Sequence, residues 1–421
     1  MPFTKGYLEI SNIKIDHILD LQKKIKANLK SPLTELLNIL FAGAINLGAS
    51  DIHFEPEEKD VKIRLRIDGV LQNLISLPLS FKEEITPRVK LLSRIKINVT
   101  HRPQDGRFSI VFNKKPIEVR VSTLPSQYGE SIVMRILNPK DILDINDLGI
   151  RKEDLNTIHK ELKKPYGMII VTGPTGAGKT TTLYAFLKEI FRPEIKIITI
   201  ENPIEYRLKG ISQTQVDPQK GYDFASGLKS IMRQDPDVIL VGEIRDYKTA
   251  HIALQAALTG HLVLTTLHAN NASGVISRIL ALGEKASNIA PALNFVIAQR
   301  LVRRVCPKCR TFKNPSKEEY KLLKDELKEI KNIRLNKEVK IPEAHGCEYC
   351  NFTGYKGRTG IFELFLVTDE LKDFILKSPS AISLKKRLKK EGMLTMYQDG
   401  LIKVINGETT FNELERVLSE E

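Results

Sequence analysis

The chain contains no tryptophan, and its tyrosines and phenylalanines form no stripe of regularly placed aromatic side chains. Proteins that bind single-stranded nucleic acid stack the bases on such side chains. The net charge of +14 permits contacts with nucleic acid, anionic lipid or an acidic protein, but it selects none of them. Because the stacking side chains are missing, we expect no direct nucleic-acid partner.

Long apolar segments are absent as well. A membrane-spanning helix needs roughly 18 or more apolar residues in a row. The nearest approach, Leu36 to Ala49, is interrupted by Asn38 and Asn46. The first residues also lack the apolar core of a signal peptide. We therefore expect a cytoplasmic protein that reaches a membrane only through a partner.

Cysteine is scarce, and its four occurrences form two Cys-x-x-Cys pairs with 37 residues between them. A disulfide framework is a weak interpretation because the chain carries no secretion signal. Paired Cys-x-x-Cys elements are typical of tetrahedral zinc sites in which each pair supplies two thiolates. Four thiolates leave no open coordination position, so we predict a structural Zn²⁺ bound by Cys306, Cys309, Cys347 and Cys350.

The length of 421 residues exceeds the size at which a single core usually stops growing, which predicts two or three domains. The hydrophobic pattern changes several times along the chain. The first 30 residues are rich in lysine and show no clear core pattern. The predicted segments are a lead at 1–30, an α+β domain at 31–139, a parallel α/β domain at 140–305, a zinc-binding subdomain at 306–355 and a helical domain at 356–421.

Residues 31–139 combine a predicted helix with alternating strands. Ser31 and Pro32 indicate a helix start, with Ser31 as the N-cap and the helix continuing through Ile45. The segment from Val61 to Ile67 alternates apolar and basic residues, as a strand with one buried face does. One sheet face of this domain is therefore predicted to carry arginines, namely Arg64, Arg66, Arg107, Arg120 and Arg135.

A glycine-rich loop joins the apolar run Met168 to Val171 to a helical pattern that begins at Lys179. This order of strand, Gly-x-x-x-x-Gly-Lys-Thr and helix is the context of a nucleotide phosphate-binding loop. Its backbone N–H groups favour phosphate oxygens. Lys179 is predicted to reach the β- and γ-phosphates, and Thr180 to bind Mg²⁺. The predicted ATP-binding residues are Gly173, Pro174, Thr175, Gly176, Ala177, Gly178, Lys179, Thr180 and Thr181.

Charged and polar residues also mark the ends of two further apolar runs. Glu243 follows the run Val238 to Val241 and is predicted to enter the Mg²⁺ shell, although a pair with Arg245 is an equally good interpretation. His261 and His268 stand on either side of the next run, and a role in sensing the γ-phosphate is predicted for both.

Two glutamates are candidates for the carboxylate that aims the attacking water. Glu201 and Glu205 come after the apolar run Lys196 to Ile200. Hydrolysis needs a positioned proton acceptor, because a lysine and Mg²⁺ stabilise charge but do not orient water. Position alone does not choose between the two glutamates.

Together these elements resemble the Walker A, Asp box, Walker B and His box of the type II secretion and type IV pilus ATPases. The likeness runs from about residue 31 to the C-terminus. Four of the segments resemble the PAS-like N-terminal domain of that family. The segments that carry the resemblance are 171–180, 199–205, 241–245 and 259–268 in the core, and 49–56, 64–69, 103–107 and 129–135 before it.

The resemblance implies a RecA-like P-loop domain preceded by a PAS-like domain, in a homo-hexameric ATPase that uses Mg·ATP. The implied partner is an inner-membrane platform protein of a type II secretion or type IV pilus system. In such rings arginines of the PAS-like domain approach the nucleotide, which implies this role for Arg64 and Arg66. The family pattern also favours Glu205 over Glu201 as the catalytic carboxylate. Asn202 departs from the family, which usually has aspartate there.

The cysteine module resembles that of assembly and secretion ATPases, whereas pilus retraction ATPases typically lack it. The lead is shorter than the additional N-terminal domain by which many such ATPases dock on their membrane partner. We expect either a different mode of docking or a truncated chain.

Two other functions stay open from the sequence. The positive charge and the cysteine spacing are compatible with a nucleic-acid translocase or DNA-transfer ATPase, whose activity would depend on DNA and on salt. A zinc-bearing scaffold that binds ATP without hydrolysing it is the second alternative. A measurement of phosphate release separates this scaffold from both kinds of ATPase.

Overall fold

The computed structural model describes residues 7–10, 13–138, 142–328, 330, 335, 336 and 338–419. The chain forms two compact units, each of which is described by itself. Both are mixed α/β structures, and each contains a seven-stranded sheet. Unit 1 contains residues 1–141, 306–310 and 344–357, and unit 2 contains residues 142–305, 311–343 and 358–421.

Unit 1 has a largely antiparallel sheet. Its elements are β1 (Tyr7–Ile10), α1 (Ile18–Ala27), α2 (Leu33–Asn46), β2 (Ala49–Pro56), β3 (Asp60–Ile67), β4 (Val70–Pro78), α3 (Phe81–Leu92), β5 (Gln104–Phe112), β6 (Lys115–Ser126) and β7 (Gly129–Leu137). The strand order is β1-β5-β6-β7-β2-β3-β4. β1 runs parallel to β5, and the other pairs are antiparallel.

The alternating pattern predicted for β3 is confirmed. Arg64 and Arg66 lie on the face opposite the core. Asp68 and Gly69, with φ of +50° and +83°, turn the chain into β4, which is the left-handed geometry of a two-residue hairpin. The buried face consists of Val61, Ile63, Leu65 and Ile67.

The lead contributes to the core of unit 1, so the prediction that it has no core pattern is wrong for the residues described there. β1 extends the sheet, and α1 packs on α2. Leu21 and Ile25 of α1 are fully buried. Leu21 fills the space beside Gly43 of α2, where an added Cβ would lie 2.3 Å from the leucine. The lysines of α1 obscured this pattern, because its apolar residues stand singly at helical spacing among them.

The helix after the lead begins later than predicted. α2 starts at Leu33, and Pro32 occupies the N-cap position without a side-chain hydrogen bond. Ser31 instead donates from Oγ to Asn28 Oδ1 at 3.2 Å. Ser31 therefore stabilises the turn that leaves α1 rather than the first turn of α2.

Unit 2 begins with a helix and then alternates strands with helices. Its elements are α4 (Lys152–Glu161), β8 (Gly167–Thr172), α5 (Lys179–Ile190), β9 (Ile197–Glu201), β10 (Ser212–Gln215), α6 (Phe224–Ile231), β11 (Val238–Val241), α7 (Tyr247–Leu258), β12 (Leu262–Leu267), α8 (Gly274–Ala281), α9 (Ala286–Ala292), β13 (Leu293–Val305), β14 (Thr311–Lys313), α10 (Lys317–Leu327), β15 (Ile341–Glu343), β16 (Tyr355–Leu366), α11 (Asp369–Leu376), α12 (Ala381–Lys390), α13 (Met396–Ile405) and α14 (Phe411–Leu418).

The large sheet of unit 2 has the order β10-β9-β11-β12-β8-β13-β16. The strands from β10 to β13 pair in parallel. Every residue of β8, β11 and β12 is buried, as expected for a parallel sheet covered on both faces. Because these strands are parallel, their carboxyl ends lie at one edge of the sheet, where ligands of such folds bind.

The predicted strands of unit 2 are confirmed to within about one residue. One shift affects the interpretation: β9 includes Glu201 as its last residue rather than ending at Ile200. At the start of α14, Thr410 Oγ1 accepts from the backbone N–H of Glu413. The Glu413 carboxylate binds Arg303 and Arg416.

The cysteine-bearing region contributes to both units. Residues 306–310 and 344–357 belong to unit 1, whereas residues 311–343, with the β14–β15 pair and α10, belong to unit 2. In the described part of the chain no helix is long and apolar enough to cross a bilayer.

Candidate active site

Glycine gives the phosphate loop a backbone that other residues rarely adopt. Gly173, Gly176 and Gly178 have φ of +146°, +81° and +86°. At Gly173 a Cβ would lie 2.4 Å from the carbonyl oxygen of Gln299, so a larger residue does not fit. Gly178 is the N-cap of α5. The loop therefore ends at a helix N-terminus, where free N–H groups and the helix dipole favour an anion.

Gln299 of β13 supports this loop by hydrogen bonds. Its buried amide accepts from Thr182 Oγ1 at 2.8 Å and donates to the carbonyl oxygen of Ala177 at 2.7 Å. One side chain thus ties the loop and the first turn of α5 to the neighbouring strand. Sequence analysis missed Gln299 because it lies 122 residues beyond Ala177 and belongs to no motif.

Two threonines join the ends of adjacent strands at the same edge. Thr172, the last residue of β8, donates from Oγ1 to the carbonyl oxygen of Leu267 at 2.7 Å and accepts from the N–H of Ala269 at 2.8 Å. Thr266 of β12 donates to the carbonyl oxygen of Gly242 at 2.7 Å. These bonds hold the segments that follow β8, β12 and β11 in fixed relation.

Lys179 is directed back over the loop. Its Nζ donates to the carbonyl oxygens of Gly173 and Pro174 at 2.7 and 2.9 Å. Burial lowers the pKa of Lys179, and the negative charge of Glu243 partly offsets this effect. The ammonium group therefore lies at the loop with an acidic residue nearby.

The other predicted loop residues differ in exposure. Ala177 is buried, and Thr181 is half-buried. Four residues are exposed at the surface of the site, namely Pro174, Thr175, Gly176 and Thr180. Thr180 lies in the first turn of α5, so its hydroxyl group is accessible to a ligand.

Glu243 lies two residues beyond the end of β11, and β11 is not the direct neighbour of β8. β12 lies between them, so Glu243 and the loop are separated by two strand spacings of about 4.8 Å each. Glu243 Oε2 pairs with Arg245 Nε at 2.6 Å and lies 3.6 Å from His268 Nε2. The alternative pairing with Arg245 is thus present together with a position near Lys179.

The two histidines lie at opposite ends of β12. His268 follows the carboxyl end, beside Glu243. His261 precedes the amino end, where its Nδ1 contacts the carbonyl oxygen of Ala256 at 3.0 Å. The six residues of β12 separate the histidines by about 20 Å. Within one chain the structure therefore brings His268, and not His261, to the phosphate loop.

Glu201 and Glu205 have different surroundings. Glu201 is buried within β9, where its carboxylate accepts from Tyr184 Oη at 2.5 Å and Thr199 Oγ1 at 2.6 Å. Burial raises the pKa of Glu201, and these hydrogen bonds oppose the rise. Glu205 is half-buried in the segment after the strand. Glu205 is therefore the more accessible of the two carboxylates.

The arginines predicted on the sheet face of unit 1 form ion pairs within that unit. Arg64 contacts Glu55 at 2.6 Å, and Arg66 lies 3.7 Å from Asp51. Arg135 also binds Asp51, at 2.9 Å. Arg107 and Arg120 lie within 4 Å of Glu118, and Arg107 has the most exposed side chain of the five, at 73%.

The four cysteines come together in unit 1. Their Sγ atoms lie within 4.8 Å of one another, and the cysteines form no disulfide. Burial raises the pKa of Cys350, but hydrogen bonds from the backbone of Cys347 and Gly354 and from the side chains of Cys347 and Cys309 together outweigh burial and lower the pKa to about 7. The cluster could therefore hold a metal ion such as zinc through Cys306, Cys309, Cys347 and Cys350.

A family model described as "Type II/IV secretion system protein" matches residues 26–416. The chain belongs to this family.

Type II secretion system protein E of Dickeya dadantii is 43% identical over 93% of this chain and 76% of the relative. The type II secretion system ATPase E of Vibrio cholerae has the same identity and coverage. The type IV pilus assembly ATPase PilB of Thermus thermophilus is 44% identical over 87% of this chain and 41% of its own length. The chain is accordingly an ATPase of the secretion and pilus family.

Solved structures share the fold of this ATPase. The Legionella pneumophila ATPase DotB superposes with a TM-score of 0.67 at 20% identity, covering 92% of this chain and 96% of DotB. The pilus retraction motor PilT with bound ADP gives 0.59 at 24% identity, covering 90% and 95%. At these identities the likeness describes the fold alone.

Proposed function

We propose that the chain is one subunit of a cytoplasmic homo-hexameric motor that hydrolyses Mg·ATP. The motor drives assembly of a type IV pilus or a type II secretion pseudopilus through an inner-membrane platform protein. The observation that carries the proposal is the grouping of the phosphate loop, Glu243 and His268 at one sheet edge. Relatives named as secretion and pilus assembly ATPases support the choice of process.

In this proposal the loop N–H groups and Lys179 bind the phosphates, and Thr180 and Glu243 hold Mg²⁺. The ion neutralises developing charge on the phosphate oxygens when it is bound. Glu205 orients the attacking water and accepts its proton, while His268 contacts the γ-phosphate side of the site. The exposure of Thr180 and the half-buried position of Glu205 suit these roles.

We assign the two units to the two domains of the motor. Unit 2 is the RecA-like domain, because its parallel sheet carries the phosphate loop at the carboxyl end of a central strand. Unit 1 contains the PAS-like domain, whose antiparallel sheet bears Arg64 and Arg66. In the ring these arginines bind nucleotide phosphates, which requires them to exchange their carboxylate partners.

We assign Zn²⁺ to the four-cysteine cluster. A tetrahedral site with Zn–S bonds of about 2.3 Å has sulfur atoms about 3.8 Å apart. The Sγ atoms of Cys306 and Cys347 lie 3.9 Å apart, and those of Cys309 lie 3.8 Å from Cys350. These separations exceed a disulfide bond of about 2.05 Å by far. The ion would be structural and would hold segments 306–310 and 344–357 together.

The proposal is tested by phosphate release from the purified full chain with Mg·ATP. Lys179→Ala and Glu205→Gln are each expected to reduce turnover at least about 100-fold. Lys188→Ala on the same helix is the matched control and should retain turnover, since Lys188 pairs with Asp144 rather than with the loop. Full turnover in Lys179→Ala would contradict the site.

The mechanical role needs a separate measurement. Mass photometry with ATP is expected to give a hexamer, and the platform protein is expected to raise turnover. If turnover rises with DNA and falls steeply with salt while the platform has no effect, the motor acts on nucleic acid instead.

A further inference from the structure

A group of buried and half-buried side chains connects the phosphate-loop helix to the segment that carries Glu205. The group consists of Tyr184 on α5, Glu201 at the end of β9 and Gln213 on β10. Tyr184 and Glu201 are 1% and 3% exposed. None of the three has a role in the reaction proposed above, which uses the loop, Glu205, Glu243 and Mg²⁺.

Tyr184 forms the side of this group that faces the helix. Its hydroxyl group donates to Glu201 Oε2 at 2.5 Å. Burial raises the pKa of Tyr184 and the charge of Glu201 adds to the rise, whereas the nearby backbone amides of Tyr206 and Glu205 lower the pKa. Its ring also packs edge-on against the ring of Tyr206, with 6.2 Å between centroids. One phenol thus binds the buried carboxylate, and its ring packs on Tyr206, the residue next to Glu205.

Gln213 forms the opposite side. Its Nε2 donates to Glu201 Oε1 at 3.2 Å and to the carbonyl oxygen of Tyr206 at 3.0 Å. Its Oε1 accepts from the N–H of Leu208 at 2.7 Å. The segment after β9 is therefore held by its backbone from two directions, by Tyr184 and by Gln213.

The sheet alone does not bring this segment to the loop. β9 is three strands away from β8 in the order β9-β11-β12-β8, which corresponds to about 14 Å. α5, in contrast, starts at the loop and carries Tyr184 at its sixth residue. α5 thus connects the phosphate loop to the segment that carries Glu205.

We propose that Tyr184 and Gln213 are positioning residues that hold Glu205 in register with the phosphate loop, and that Glu201 anchors them and is not the proton acceptor. The inference rests on the proposed hydrolysis by Glu205. A proton acceptor must be accessible to water, whereas both oxygens of Glu201 are buried and bonded to protein donors. Glu201 instead supplies the fixed acceptor that orients the phenol and the amide.

The first test is Tyr184→Phe, which keeps the ring and removes the hydroxyl group. We expect kcat to fall about 10- to 100-fold because the backbone at Glu205 loses an anchor, whereas KM for ATP stays within about twofold. Tyr222→Phe is the matched control, because it removes a hydroxyl bond to Thr214 on the same strand β10 without contacting the Glu205 segment. Its kcat should equal that of the parent chain.

A purely structural role for the group predicts a different result. Tyr184→Phe would then lower the melting temperature and leave kcat per folded subunit unchanged, which overturns the proposal. Gln213→Met provides a second variant in case Tyr184→Phe does not fold, because Gln213 is only half-buried. We expect the same loss of kcat at unchanged KM, and unchanged kcat would again overturn the proposal.

The variant Glu201→Gln tests whether Glu201 is an anchor or the proton acceptor. Its amide oxygen still accepts from Tyr184 or Thr199, so we expect at most about a tenfold loss of kcat, against at least about 100-fold for Glu205→Gln. Complete loss in Glu201→Gln would overturn the assignment of Glu201 as an anchor, and retained turnover in Glu205→Gln beside it would make Glu201 the proton acceptor. Absence of turnover in the parent chain would instead contradict the proposed function itself, so the two failures are distinguishable.

Discussion

The phosphate loop of unit 2 and the cysteine cluster of unit 1 offer different parts of the chain to a ligand. The loop offers backbone N–H groups from one continuous segment, and its geometry depends on Gly173 lying against the carbonyl oxygen of Gln299. The cluster offers four side chains from two turns that are distant in sequence. Binding by backbone needs a neighbour that shapes the backbone, whereas binding by thiolates needs only that the two turns meet.

This difference predicts that ATP binding by the loop is weakened most by substitutions that add side-chain atoms. In Gly173→Ala the new Cβ would lie 2.4 Å from a backbone oxygen at a φ of +146°, so we expect ATP affinity to fall at least about 100-fold. Gly221→Ala is the control, since its φ is +72° but no atom lies within 4 Å of the added Cβ. Titration with a fluorescent ATP analogue measures both. Equal ATP affinities of the two variants would show that the loop backbone can shift without loss of ATP binding.

The cluster is expected to respond to ligand loss instead. Cys309→Ser should remove nearly all bound zinc and unfold the two turns locally, because metal binding is coupled to folding. ATP binding by unit 2 should persist. Metal analysis and hydrogen exchange measure these effects. Lys308→Ala is the control, because it alters the same turn but removes only a cation over the Tyr349 ring, and it should retain zinc. A metal-free protein with unchanged hydrogen exchange would contradict the coupling between zinc binding and local folding.

Gln299→Leu tests the remote support of the loop. The substitution leaves the Ala177 carbonyl and the Thr182 hydroxyl without their buried partner, at a cost of about 1–3 kcal/mol. We expect weaker ATP binding and an unchanged zinc content. Gln398→Leu is the control, because it also removes a hydrogen bond from a side-chain amide to a backbone carbonyl, but at the surface. This variant should bind ATP normally. If both variants changed ATP affinity equally, Gln299 would have no specific role in supporting the loop.

The smallest effect is expected where the cluster meets the lead. Asn351 Oδ1 accepts from the N–H of Ile18 at the start of α1, and Asn351 has a φ of +52°. Asn351→Gly should cost about 1 kcal/mol by losing this bond, and Asn351→Ala about 1–2 kcal/mol more because of the left-handed backbone. Faster hydrogen exchange at Ile18 reports the loss. Unchanged exchange in both variants would mean that the cluster does not hold α1.

Local patterns predicted those elements whose physics is local. The strand, loop and helix around Lys179 were correct because a phosphate loop is one continuous segment. The alternation in β3 gave its buried face, since side chains alternate along any strand. α1 was missed because the burial of Leu21 depends on the space left by Gly43 in another helix.

Contacts between distant segments decided the rest of the candidate site. Strand order separates Glu243 from the loop by β12, and strand direction puts His268 at the loop edge and His261 at the other end. Gln299, Tyr184 and Gln213 carry no motif, because a single polar side chain acquires its role from the backbone it faces.

The sequence by itself determined the family, the Gly-x-x-x-x-Gly-Lys-Thr loop and the two Cys-x-x-Cys pairs, since each is recorded in residue types at short spacing. Only the tertiary structure decided which glutamate is buried and which is accessible: Glu201 ends inside the sheet, and Glu205 lies beyond it. The physical reason is that burial and hydrogen-bond partners depend on the packed chain: the last residue of β9 lies in the core, whereas Glu205, four residues later, is half-buried.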